Sequence, residues 1–126
     1  MESRCGNAER SARGAAAETI AAAYLRLRGC EIVGRNVRAG GGEIDIVARR
    51  GDWLLLVEVR FRRDDRFGLP VETIRGRKRD AIRRAAHAYL SGAGGRPACW
   101  RCDIVSVDLL GDGDMRVRHY PNAIPL

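Results

Sequence analysis

The sequence predicts an α/β protein in which helices pack on a sheet, in the order helix, three strands, helix, two strands. Three observations predict it. Two segments repeat apolar residues at helical spacing, and five others show strand-like runs. Glycine-rich breaks separate them. The chain has 126 residues, which suits one domain with its own core. A composition of 45% hydrophobic and 31% charged residues is globular rather than disordered.

Residues 1–10 are polar and read as a flexible terminus, with a single domain over 11–126. Ser11 suits a helix N-cap. Ala17, Ile20, Ala21, Tyr24 and Leu25 then follow i, i+3, i+4, i+7, i+8 spacing, and Gly29 suits the helix stop. Residues 31–38 read as a short strand, broken by Gly40-Gly41-Gly42. Residues 43–50 and 53–62 read as two strands joined by Gly51-Asp52, a pair suited to a type II′ turn. That turn pairs residues whose numbers sum to 103. One face then carries Ile44 with Val59, Ile46 with Val57, and Ala48 with Leu55. The other carries Glu43 with Arg60, Asp45 with Glu58, and Val47 with Leu56. A slip of one residue would mix the faces, so the pattern favours this register. After a charged loop over 64–70, a second helix is predicted over 74–91 with Thr73 as its cap. Residues 101–109 and 115–120 read as the last two strands, joined by a turn at Gly111-Asp112-Gly113.

The net charge is +7, from 23 basic and 16 acidic side chains. Of the basic residues 22 are arginine, and Lys78 is the sole lysine. With a pI near 10, the chain calls for an anionic partner, of which nucleic acid is the commonest. No apolar run is long enough for a membrane span, and residues 1–13 are too polar for a signal peptide. Cytoplasmic location and no membrane partner are therefore expected. Cys5, Cys30, Cys99 and Cys102 are expected as reduced thiols. Cys99 and Cys102 form a lone CxxC that runs into a strand, without the second pair a structural zinc needs. Trp53 and Trp100 read as core or rim residues, and His119 as structural.

Asp45 opposite Glu58 is the chemically informative pair. Side chains facing each other across antiparallel strands have Cβ atoms about 5 Å apart. Two carboxyls that close can share a proton, take a basic side chain between them, or bind a divalent cation. The plainer alternative is a solvated strand face whose acids pair with Arg60. Residues 60–84 carry ten basic side chains against four acidic, which is +6 of the total. An acidic pair beside a basic stripe is what a metal-dependent nuclease needs: phosphate contacts from the stripe, metal ligands from the acids. The stripe alone could equally be a solvated helix face.

Gly42-Glu43-Ile44-Asp45-Ile46-Val47, Leu56-Val57-Glu58-Val59-Arg60-Phe61-Arg62 and Phe67-Gly68-x-Pro70 resemble the YraN family of uncharacterised bacterial proteins. So do Gly14-x-x-x-Glu18, Ala22-x-Tyr24-Leu25, Arg35-Asn36, Lys78, Arg101-x-Asp103-Ile104-Val105 and His119-Tyr120-x-Asn122-Ala123. The resemblance runs in order from about residue 14 to 124. It implies a restriction-endonuclease-like, three-layer α/β/α domain with a mixed sheet, of the PD-(D/E)XK superfamily and distantly similar to archaeal Holliday junction resolvases. The function it implies is hydrolysis of DNA phosphodiesters, branched or single-stranded, with magnesium or manganese. Carried across, Asp45 and Glu58 are the metal ligands, Glu18 joins them, and Arg60 stands at the motif lysine. Arg62, Arg63, Arg75, Lys78 and Arg79 would contact nucleic acid. Resolvase-like relatives pair through a sheet edge, so a homodimer is a further expectation.

Arginine at position 60 departs from the motif. Arginine can position water or neutralise charge but is a poor general base. Three readings follow: Arg60 acts electrostatically, Lys78 reaches the site from the second helix, or the protein binds nucleic acid without cutting it.

Overall fold

The computed structural model describes the backbone of residues 2–63, 69–92 and 97–126, and the side chains from Arg13 onward within them, Val71 excepted. The Phe67-Gly68 motif lies outside the described residues. The order is α1 (Glu2–Leu27), β1 (Glu31–Ala39), β2 (Gly42–Arg50), β3 (Trp53–Arg62), a 3₁₀ turn (Pro70–Thr73), α2 (Gly76–Gly92), β4 (Cys99–Leu109) and β5 (Met115–Ile124). The five strands form one mixed sheet in chain order. β3 and β4 are parallel, and the other neighbours are antiparallel. Parallel neighbours need a long crossover, and α2 lies within it.

Alternation along β3 sorts the two helices onto opposite faces. Leu55 and Val57 pack with Ala21, Ala22 and Leu25 of α1, together with Val105 of β4. Leu54 and Leu56 pack with Ala85, Ala86 and Leu90 of α2. The result is three layers. β4 is an interior strand and is buried continuously from Cys102 to Asp108, as a strand covered on both faces must be.

α1 ends as its glycine predicts. Gly29 is left-handed (φ 87°), Cys30 N–H donates to Leu25 O at 3.0 Å, and Gly29 N–H donates to Arg26 O at 3.0 Å. This is the paired bonding of a Schellman cap. The helix begins earlier than expected, at Glu2, so Ser11 is an interior position and not its cap. Ala8-Glu9-Arg10 are good helix formers and no proline interrupts them.

The second helix starts later than predicted. Ile74 precedes it and is drawn into the core with Cys102, Ile104 and Ile124. Thr73 is not its cap, because its hydroxyl donates to Pro70 O at 2.6 Å inside the 3₁₀ turn.

The β2–β3 hairpin keeps the expected register from Arg50–Trp53 to Ile46–Val57. Gly51 has positive φ and Asp52 does not, which fits the expected turn. The ladder then stops, so the expected Asp45–Glu58, Ile44–Val59 and Glu43–Arg60 backbone pairs are not made. Ile44 joins Val47 under α2, whereas Val59 borders the α1 side. The single apolar face predicted for Ile44, Ile46 and Val59 is therefore broken at Asp45.

Gly40 and Gly41 turn β1 into β2, both with positive φ. A Cβ on Gly40 would lie 2.8 Å from Ala88 Cβ and 2.9 Å from Arg84 O, both on α2. A Cβ on Gly41 would meet nothing within 4 Å. Gly40→Ala is expected to lower stability by about 2–4 kcal/mol, from left-handed strain plus overpacking. Gly41→Ala should lose only about 1 kcal/mol. Urea unfolding of the two variants checks this, and equal losses would remove the close α2 approach as the cause.

Candidate metal and nucleic-acid site

The site forms where β2 and β3 part. Asp45 Oδ2 accepts the Val59 N–H at 2.8 Å, in place of a continued backbone ladder. A carboxylate is a stronger acceptor than a neutral carbonyl, so this bond holds the Asp45 side chain against β3. There it shares a hydrogen bond with the Glu58 carboxyl. Glu58 is only 7% exposed. Burial, and then the Asp45 carboxylate beside it, push its pKa up to about 8, with Lys78 opposing. Asp45 is also raised by burial, but the Val59 N–H, Glu58 and Lys78 all pull it back. Glu58 therefore carries the proton of the pair and donates it toward Asp45.

Lys78, in the first turn of α2, places Nζ 3.4 Å from Glu58 Oε1. Glu43, Asp45, Glu58, Lys78, Ala81 and Ile82 line an open cleft of about 240 Å³. Glu18 reaches the same neighbourhood from α1. Burial and the Asp45 charge raise its pKa, while an Asn36 hydrogen bond and Arg35 oppose them. Arg35 Nη2 lies 3.9 Å from Glu18 and 3.2 Å from Thr19 Oγ1. Asn36 sits in the left-handed region (φ 52°), which asparagine tolerates better than most residues. Asn36 was visible only as part of the Arg35-Asn36 motif, and nothing in its spacing tied it to Glu18.

Arg60 does not line this cleft. Its Nη2 donates to Thr73 Oγ1 at 2.9 Å. The plainer alternative, acids of this face paired with Arg60, is not seen among the described residues: no ion pair joins Glu43 to Arg60. Arg62 is committed to Asp108 by two bonds of 2.9 and 3.0 Å. Arg63 is exposed. Arg75 and Arg79 come together with Glu72, Ile74 and Gly76 around a second depression of about 330 Å³. So the structure gathers Glu43, Asp45, Glu58 and Lys78 around one cleft, with Glu18 near enough to Asp45 to feel its charge, and Arg75 with Arg79 around another.

Two carboxyls that share a proton beside open space suit a hard divalent cation, because magnesium takes one or two carboxylates and keeps several waters. A cation between Asp45 and Glu58 would displace that proton. Among the described residues no group of three or more His, Cys, Asp or Glu is arranged to hold a metal, so water would complete its shell. Cys30, Cys99 and Cys102 are free thiols. Cys99 and Cys102 are three residues apart on β4, hence on opposite faces, and cannot chelate together.

His119 is structural, as expected. Its Nε2 lies 2.7 Å from the fully buried Asp103, which also pairs with Arg101 at 3.0 Å and accepts Asn122 N–H at 2.8 Å. Arg101 stacks on Trp53, 5.2 Å from its ring centre, so Trp53 is a rim residue. No helix among the described residues is long and apolar enough to cross a membrane.

Residues 17–107 match the model of the family described as "Uncharacterised protein family UPF0102". The UPF0102 protein of Symbiobacterium thermophilum is 41% identical over 110 residues, covering 87% of this chain and 93% of that protein. That of Anaeromyxobacter dehalogenans is 42% identical over 114 residues, covering 90% and 84%. That of Geobacter sulfurreducens is 38% identical over 113 residues, covering 90% and 88%.

Proposed function

The chain belongs to the UPF0102 (YraN) family, and on that premise we propose that it is a metal-dependent nuclease acting on DNA phosphodiesters, branched or single-stranded. The observation that carries this reading is the Asp45 and Glu58 carboxyls side by side at an open cleft, with the chain's one lysine 3.4 Å from Glu58. Asp45 and Glu58 would hold magnesium or manganese, with Glu18 assisting from α1. When bound, the ion supplies acidification of a water and charge neutralisation at the phosphate. Asp45 is already oriented by the Val59 N–H, so little rearrangement of β2 is needed. Lys78 stands in for the lysine that the PD-(D/E)XK motif would place at Arg60. It reaches Glu58 from α2 and can donate to a water or a phosphate oxygen. Arg75 and Arg79 on one flank would bind the backbone of the same nucleic acid. Such an activity belongs in the cytoplasm.

Arg60 favours a second reading, a protein of this fold that binds nucleic acid without hydrolysing it, because its guanidinium is engaged by Thr73. The two are separated by titrating magnesium and manganese into metal-free protein with plasmid, single-stranded and junction DNA. Metal-dependent cleavage of any one supports the nuclease. Binding without cleavage supports the second reading, and failure to bind any substrate overturns both.

A further inference from the structure

The face of the sheet that bears Glu58 continues past it as two rows of side chains across β3, β4 and β5. Backbone register sets Arg60 beside Ser106 and Ser106 beside Arg118. The next row on the same face is Arg62, Asp108 and Arg116. Registered neighbours point to the same side of a sheet, and residues two apart on a strand share a face. The two rows differ at their centre. In the outer row, Asp108 is fully buried and gives Arg62 a bidentate partner, with Arg116 Nη2 3.9 Å away. In the row nearer Glu58, the centre is a serine.

That serine leaves the inner row incomplete. Ser106 is 0% exposed, and its Oγ has no hydrogen-bond partner among the described residues. The Arg60 Nε is likewise buried without one. Among the described residues, Arg60 bonds a neutral hydroxyl, that of Thr73. Arg118 is exposed, and no carboxylate of the described residues pairs with it. A buried hydroxyl without a partner is unfavourable by about 1–3 kcal/mol, which a further hydrogen-bonding group beside it would relieve. Two arginines set on either side of a serine by the register, neither paired with a carboxylate among the described residues, suit an oxyanion with several acceptor oxygens.

We propose that Arg60 and Arg118, on either side of Ser106, form a phosphate subsite that holds the nucleic-acid backbone next to the Asp45–Glu58 pair. This rests on the nucleic-acid reading above and adds β5 to the substrate groove. Arg60 lies two positions beyond Glu58 along β3, about 7 Å, so one strand of nucleic acid can span both. Arg60 then has a binding role in place of the motif lysine's catalytic one. The ligand is a phosphodiester strand crossing from the acidic cleft toward β5.

The test is fluorescence anisotropy of labelled single-stranded and junction DNA, without metal, across a salt series. Arg118→Ala is expected to weaken binding roughly 5- to 10-fold and to lower the salt slope by about one, with Arg118→Lys recovering most of both. Arg28→Ala, in the turn just after α1, should change neither. Wild-type protein that binds DNA while Arg118→Ala binds equally well, with the same slope, overturns the subsite and leaves the nuclease reading standing. Binding that depends on Arg118, with no cleavage once magnesium or manganese is added, supports the subsite and overturns hydrolysis. Wild-type protein that binds no DNA overturns both.

Discussion

Asp45→Asn is expected to lower metal-dependent DNA cleavage by at least about 100-fold, while binding measured without metal stays within about twofold. Asparagine keeps an amide oxygen that can accept the Val59 N–H, so the parting of β2 from β3 survives. What it loses is the charge that a cation needs. A loss of about 3 kcal/mol of transition-state stabilisation is about 100-fold in rate. Lys78→Met should follow with a smaller loss, about 10-fold or more, because its ammonium lies against Glu58. Arg60→Lys should change cleavage least, since residue 60 faces Thr73 and not the cleft. Single-turnover cleavage of one substrate across magnesium concentrations reads all three. Cleavage that persists in Asp45→Asn, or a larger loss in Arg60→Lys than in Lys78→Met, would contradict this assignment.

Glu58→Gln is expected to stabilise the metal-free protein at pH 8, by on the order of 2–4 kcal/mol, and to leave it nearly unchanged at pH 5. The folded pKa of about 8 lies above the ordinary value of 4.5. Below about pH 4.5 the folded and unfolded chains both hold the proton. Between 4.5 and 8 the unfolded chain has released it and the folded chain has not. Unfolding then gains with each rise in pH. Above 8 the folded state must ionise a buried carboxyl beside Asp45, and the penalty is complete. Glutamine fills the same volume, donates toward Asp45 and never ionises. Urea unfolding in chelator between pH 5 and 8.5 should therefore show two curves that diverge as pH rises. Parallel curves would mean that Glu58 is ionised in the folded protein and that its proton is not shared.

The hairpin shows how much the sequence disclosed. Register between Ile46–Val57 and Arg50–Trp53 was legible because both strands bury one face against each helix, and a slip would exchange those faces. The cap of α1 at Gly29 was legible for a similar reason, since a left-handed residue is needed at that point and glycine supplies it. The carboxylate pair was legible as a neighbour relation across that hairpin. Its backbone geometry was not, because the Asp45 side chain replaces a ladder bond and periodicity counts only main-chain pairs.

The residues around the pair divide along the same line. Their chemistry, acids on one strand pair and a basic excess over 60–84, is present in the chain as written. Which base meets which acid is not. Lys78 lies twenty positions beyond Glu58 and reaches it only because the crossover folds α2 back over the sheet. Arg60 lies two positions from Glu58 on the same strand, yet the 3₁₀ turn draws it away. Arg118 becomes its neighbour through two sheet pairings. Spacing along a chain reports local geometry to within a turn or a strand, and the parting of Lys78 from Arg60 was settled by how distant segments pack.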